Sequence, residues 1–194
     1  MSTDATSPVT AETLTAPLSL TFGSQGRLLT AADLAALPME LPSGPVDYEL
    51  DNGRLVIMSP PGRRHGSAQA RITGQLIVRG EEKSHGEVMT DVGVVLWRNP
   101  DRVVSPDVLF IVKDRLPAKD SKEGYIETIP DLVVEVRSKN DSLADVEQKT
   151  RDYLKAGVRI VWVVDNDART VTISRAAGET QVLGENDTLR AEGV

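Results

Sequence analysis

Apolar and polar positions along the chain alternate in short strand-like runs, interrupted by two segments with helical spacing. Tyr48-Glu49-Leu50 and Arg54-Leu55-Val56-Ile57-Met58 flank Asn52-Gly53, two residues that tolerate positive φ, and predict a β-hairpin. After a Pro60-Pro61-Gly62 break, Ala68, Ile72, Leu76 and Ile77 recur at helical spacing and predict a long helix over residues 65–82. Residues 87–97 alternate weakly and turn apolar at Val94-Val95-Leu96; Asn99-Pro100-Asp101 then makes a turn into a strand over 105–112. A loop-rich stretch over 113–128 leads to a second apolar strand at 130–137. Asp141 or Ser142 caps a helix reaching Ala156, with Leu143, Val146, Thr150 and Leu154 on one face and Gly157 at its end. A buried strand at 158–164, a turn at Asp165-Asn166-Asp167, a strand at 170–174 and a weaker one at 180–183 complete the chain. Thr30 caps a short helix over 31–37 that Pro38 stops, so the ordered domain begins near Arg27. Hairpins mixed with two packed helices predict an α/β or α+β layered domain, and there is no internal repeat.

Two of these strands carry a misplaced charge. Asp107 opens Val108-Leu109-Phe110-Ile111-Val112, and Glu135 sits inside Leu132-Val133-Val134-Glu135-Val136. A buried, unpaired carboxylate costs several kcal/mol or takes up a proton, so each needs a partner. Strand parity sets Asp131, Val133, Glu135 and Arg137 on one face, and Asp107, Leu109 and Ile111 share a face of the other strand. If the strands pair, the carboxylates converge at one edge of the sheet. Lys149, projected at 100° per residue, falls at the border of the apolar stripe beside Val146 and Tyr153. Two oxygen ligands and a lysine suit Mg²⁺-assisted phosphodiester hydrolysis. Ordinary ion pairs, Glu135 with Arg137 and Lys149 with Asp145, explain the same residues equally well at this point.

Composition narrows the choice. The 194 residues fit one domain, expected over 26–194, behind a Ser, Thr, Ala and Pro-rich stretch over 1–25 that reads as a disordered tail. A net charge of −7 argues against coating nucleic acid by charge alone, and 4% aromatic residues argue against a base-stacking surface. The absence of cysteine excludes disulfides, thiolate metal sites and cysteine nucleophiles, and the expectation is a cytoplasmic protein. Only His65 and His85 are present, which excludes a multi-histidine zinc site, and no run is long enough to span a membrane.

Taken together, Tyr48-Glu49-Leu50-Asp51-Asn52-Gly53, Met58-Ser59-Pro60-Pro61 followed by His65, Ser105-Pro106-Asp107, Pro130 to Val136, and Lys149, Tyr153, Gly157-Val158 and Trp162-Val163-Val164-Asp165 carry a resemblance. This ordered series resembles the Uma-type restriction endonuclease family of the PD-(D/E)xK nuclease superfamily. The resemblance implies a restriction-endonuclease-like core, a central mixed sheet flanked by helices, with the N-terminal hairpin beside it. It implies Asp107 and Glu135 as Mg²⁺ or Mn²⁺ ligands in an endonuclease acting on DNA. Where the superfamily has a lysine two residues after the glutamate, this chain has Arg137, whose guanidinium stays charged and cannot act as a base. Family members look as if that lysine has moved to the following helix, which selects Lys149 as the third catalytic residue over the competing Lys139. Glu49 matches an early acidic position and is a possible further acid at the site. Arg63, Arg64, His65 and Arg71, with Arg137 and Lys139, are candidate nucleic-acid contacts around a helix N-terminus. A homodimer is expected by analogy with nucleases that cut both strands. The alternative is a catalytically inactive nuclease-fold binding or assembly module, motivated by Arg137 and the acidic balance.

Overall fold

A computed structural model describes residues 27–191 apart from positions 43, 59, 120 and 140; the tail expected over 1–25 lies outside the described residues. Helix α1 (Ala31–Ala35) starts at Thr30, whose hydroxyl accepts from the Asp33 amide while the Asp33 carboxylate accepts from the Thr30 amide. A small ribbon of β1 (Glu40–Leu41) and β2 (Gly44–Pro45) leads into the predicted hairpin, β3 (Asp47–Asp51) and β4 (Arg54–Met58). Its turn residues Asn52 and Gly53 take φ of 49° and 78°, as the sequence requires. Helix α2 (Arg63–Leu76) runs on into a π-helical turn at Ile77–Glu81. Then come β5 (Gly86–Met89), β6 (Val94–Trp97), β7 (Arg102–Val104), β8 (Val108–Val112) and β9 (Leu132–Val136). Helix α3 (Leu143–Ala156) is capped by the Ser142 hydroxyl and closed by Gly157 at φ 106°, and β10 (Ile160–Asp165), β11 (Thr170–Arg175) and β12 (Thr180–Leu183) follow.

The strands form two principal sheets, a six-stranded one in the order β12-β11-β10-β9-β8-β5 and a four-stranded one in the order β4-β3-β7-β6. The pair β9 and β10 is parallel and therefore needs the crossover that α3 supplies; the other neighbours in the large sheet are antiparallel. One face of the large sheet packs Val108, Phe110, Leu132, Val134 and Trp162 against Ala68, Ile72 and Leu76 of α2. The other face packs Leu109, Ile111, Val133 and Val161 with Tyr153 and Leu154 of α3 and with Val94, Leu96 and Val104 of the smaller sheet. The strand parity read from sequence is therefore the parity of the fold. No helix of the described residues is long and apolar enough to cross a membrane.

Three sequence expectations need correction. Residues 87–97, read as one run, are two strands in different sheets, β5 and β6, split by a corner where Asp91 takes φ 55°. The turn at 99–101 opens onto β7, which the sequence reading passed over between the turn and the strand at 105–112 because it is only three residues long and contains a buried arginine. The inner face of α3 is also rotated: Leu143 is 63% exposed, whereas Asp152 and Tyr153 are buried. That helix packs a polar network as well as an apolar one, so apolar spacing alone misaims it.

Candidate active site

The site begins with strand register. Val108 pairs with Val134 in the β8–β9 ladder, and continuing that register by one residue sets Asp107 opposite Glu135, on the same face. Pro106 precedes Asp107 at the mouth of β8, where the ladder gives way to irregular chain. The Val136 amide donates to Asp107 Oδ2 at 2.6 Å, tying this carboxylate to the neighbouring strand. Strand β9 lies inside the sheet between β8 and β10, so Glu135 is not a solvated edge residue.

Helix α3 brings the cation. Lys149 Nζ lies 3.1 Å from Glu135 Oε1 and 2.8 Å from Glu49 Oε1, and among the described residues its side chain forms no ion pair with Asp145. Glu49 comes from β3 in the other sheet and is buried rather than hairpin surface; its Oε1 also accepts from the Ser105 amide at 3.0 Å. Arg102 of β7 backs this arrangement, 3.6 Å from Glu49 Oε2, 2.9 Å from Asp152 Oδ2 and 3.0 Å from the Leu50 carbonyl. The Tyr153 hydroxyl, one turn beyond Lys149, donates to Glu135 Oε1. Asp107, Glu135 and Lys149 retain 15%, 17% and 17% side-chain exposure, enough to meet a ligand from solvent.

These neighbours tune the charges. Burial pushes the Glu135 carboxyl up to about 7; Lys149 works against the rise, while the Asp107 and Glu49 charges add to it. Burial alone would lower the Lys149 ammonium, but Glu135 and Glu49 together hold it above the ordinary lysine range. Lys149 is therefore a fixed cation and not a proton acceptor.

Helix α2 supplies a second flank. His65, in its first turn, places Nε2 3.2 Å from Asp107 Oδ1, a bond that raises the histidine's pKa, and its buried Nδ1 has no partner among the described residues. One turn on, Gln69 Nε2 donates to the Asp107 carbonyl at 2.9 Å and to Asp91 Oδ2 at 2.8 Å. His65 thus leaves the exposed basic group in which the sequence placed it. Arg137 leaves it too: β9 ends at Val136, and its guanidinium turns to Asp165 at the end of β10, 2.6 Å away. Arg63, Arg64, Arg71 and Lys139 are exposed, with Arg64 paired to Asp167 at 3.0 Å. Gln69, Arg102 and Tyr153 were not singled out for a role from sequence. The signal available was helical: Gln69 stands four residues after His65, and Tyr153 four after Lys149.

Among the described residues no group of three or more His, Asp or Glu side chains is gathered as a complete metal-binding set. Asp107 and Glu135 remain as two opposed carboxylates on one face. Mg²⁺ keeps several waters and takes one or two carboxylates plus substrate oxygens, so this pair fits its chemistry.

The Uma2 family, described as putative restriction endonuclease, matches residues 32–194. The chain belongs to this family. A crystal structure of a putative nuclease belonging to DUF820, from Anabaena variabilis ATCC 29413, superposes on this Uma2 chain with a TM-score of 0.67. It shares 22% identity over 84% of this chain and 88% of that one, and it shows the restriction-endonuclease-like fold. The cryoEM structure of a DrdV–DNA complex aligns with a TM-score of 0.41 and 20% identity, over 65% of this chain and 11% of that one, too weakly to carry an argument. No curated protein matches the Uma2 chain.

Proposed function

We propose that this Uma2 protein is a Mg²⁺- or Mn²⁺-dependent endonuclease that hydrolyses DNA phosphodiester bonds. The observation that carries the reading is the convergence of Asp107, Glu135 and Lys149 from the ends of two interior strands and a helix. Asp107 and Glu135 would hold the cation. A divalent ion bound there supplies positive charge to the scissile phosphate and acidifies a water. Lys149, fixed between Glu135 and Glu49, offers its ammonium to the charge that builds on the phosphate oxygens. Glu49 acts through Lys149, since its own oxygens are taken by Lys149, the Ser105 amide and Arg102.

Of the two grounds for an inactive module, Arg137 and the acidic balance, the first is answered by Lys149 standing 3.1 Å from Glu135, which supports the active reading. Arg63, Arg71 and Lys139 remain exposed and available to DNA phosphates. Residues 26–194 act as one nuclease domain, a reading supported by the apolar cluster that both sheets share.

The test is cleavage of supercoiled plasmid by purified protein with Mg²⁺ or Mn²⁺, beside Asp107→Ala and Lys149→Ala. Wild-type cleavage abolished by chelation, and reduced roughly a hundredfold or more in each variant, is expected. Equal activity in all three proteins would overturn the assignment.

A further inference from the structure

Tyr153 is fully buried with its ring in the core shared by the two sheets, yet its hydroxyl ends on a carboxylate. It reaches Glu135 Oε1, the same oxygen that Lys149 approaches at 3.1 Å. A hydroxyl donor and an ammonium therefore meet at one oxygen, and among the described residues no side-chain or backbone hydrogen bond reaches Glu135 Oε2. The side chain nevertheless keeps 17% of its surface open. A carboxylate held at one oxygen cannot rotate freely and presents the other in a fixed direction.

We propose that Tyr153 is a positioning residue that, with Lys149, clamps Oε1 of Glu135 and turns Oε2 outward as the one oxygen offered to a divalent cation. The inference rests on Asp107 and Glu135 being the metal ligands. The Tyr153 hydroxyl would orient Glu135 through its hydrogen bond before the metal arrives, so the site loses less freedom on binding. Tyr153→Phe isolates the effect. It keeps the ring in the core and removes one oxygen, and Lys149 stays on Oε1 so that the buried carboxylate is not orphaned.

Calorimetric titration of the purified chain with Mn²⁺ tests this, using wild type, Tyr153→Phe, Asp107→Ala and Ile160→Val. Ile160 is a core residue at the opposite end of β10 from the strand pair's charged edge, so its variant loses stability without touching the site. Tyr153→Phe should weaken Mn²⁺ binding about 10- to 100-fold. Ile160→Val should bind as wild type despite a lower melting temperature, and Asp107→Ala should lose binding. Loss of binding in Asp107→Ala with wild-type affinity in Tyr153→Phe would overturn the positioning role and leave the nuclease reading intact; no binding by wild type would overturn both. Equal weakening in Ile160→Val and Tyr153→Phe would reduce Tyr153 to a structural residue. In the intact protein Mn²⁺ should also perturb the tyrosine ultraviolet band, and the perturbation should persist in Tyr48→Phe and Tyr125→Phe. An unperturbed band would count against the contact.

Discussion

Glu135 sits among charges that pull its proton in opposite directions: burial, Asp107 and Glu49 favour the neutral acid, and Lys149 and the Tyr153 hydroxyl favour the anion. The balance leaves its pKa near 7, above an ordinary value of 4.5, so the folded protein holds a proton there that the unfolded chain has already released. In metal-free protein this group's contribution to stability is fully present below about pH 4.5 and is lost as pH rises toward 7. Thermal melts in chelator should show that decline, and Glu135→Gln should flatten it across the window; a slope unchanged by the substitution would contradict the account. The sequence exposed Asp107 and Glu135 because a charge in an apolar strand is conspicuous. It did not expose Tyr153 or Gln69 as site residues, because a tyrosine at helical spacing looks like core and a glutamine on a helix looks like surface. Both descriptions are half right: the Tyr153 ring is core, and only its oxygen belongs to the site.

The elements divide by how local their signals are. The Asn52-Gly53 hairpin, the Ser142 cap and the Gly157 stop follow from residues next to one another, and each stands where the sequence places it. Strand β7 and the split between β5 and β6 depend on which sheet each segment joins, a long-range choice that alternation does not encode. Lys149 was legible at the border of the α3 stripe, but the polar face around Asp152 was not, since its partner Arg102 lies in another sheet. At the sheet edge, Gly86 of β5 faces β8 so closely that a Cβ would fall 2.1 Å from the Ile111 carbonyl oxygen. Gly86→Ala should therefore destabilise the protein by roughly 1–3 kcal/mol or more through overpacking, measured by urea denaturation. A neutral effect would show that the β5–β8 edge is looser than its register.

On the scale of the whole molecule, the candidate site joins the two sheets. Glu49 comes from the smaller sheet, Asp107 and Glu135 from the larger, and Lys149 from the helix packed between their shared core residues. Fold and site are thus one arrangement: the Lys149 ion pairs with Glu49 of one sheet and Glu135 of the other link the sheets and hold both acids. The Uma2 assignment and the restriction-endonuclease-like fold make a nuclease the frame in which to read that arrangement. In that frame Asp107 and Glu135 are proposed to hold a divalent cation beside Lys149. Anomalous diffraction from a Mn²⁺-soaked crystal tests it most directly. A manganese peak is expected in contact with both the Asp107 and Glu135 carboxylates, with Lys149 still on Glu135 Oε1. A crystal saturated with Mn²⁺ that shows no peak there, or a peak bound by other residues alone, would contradict it.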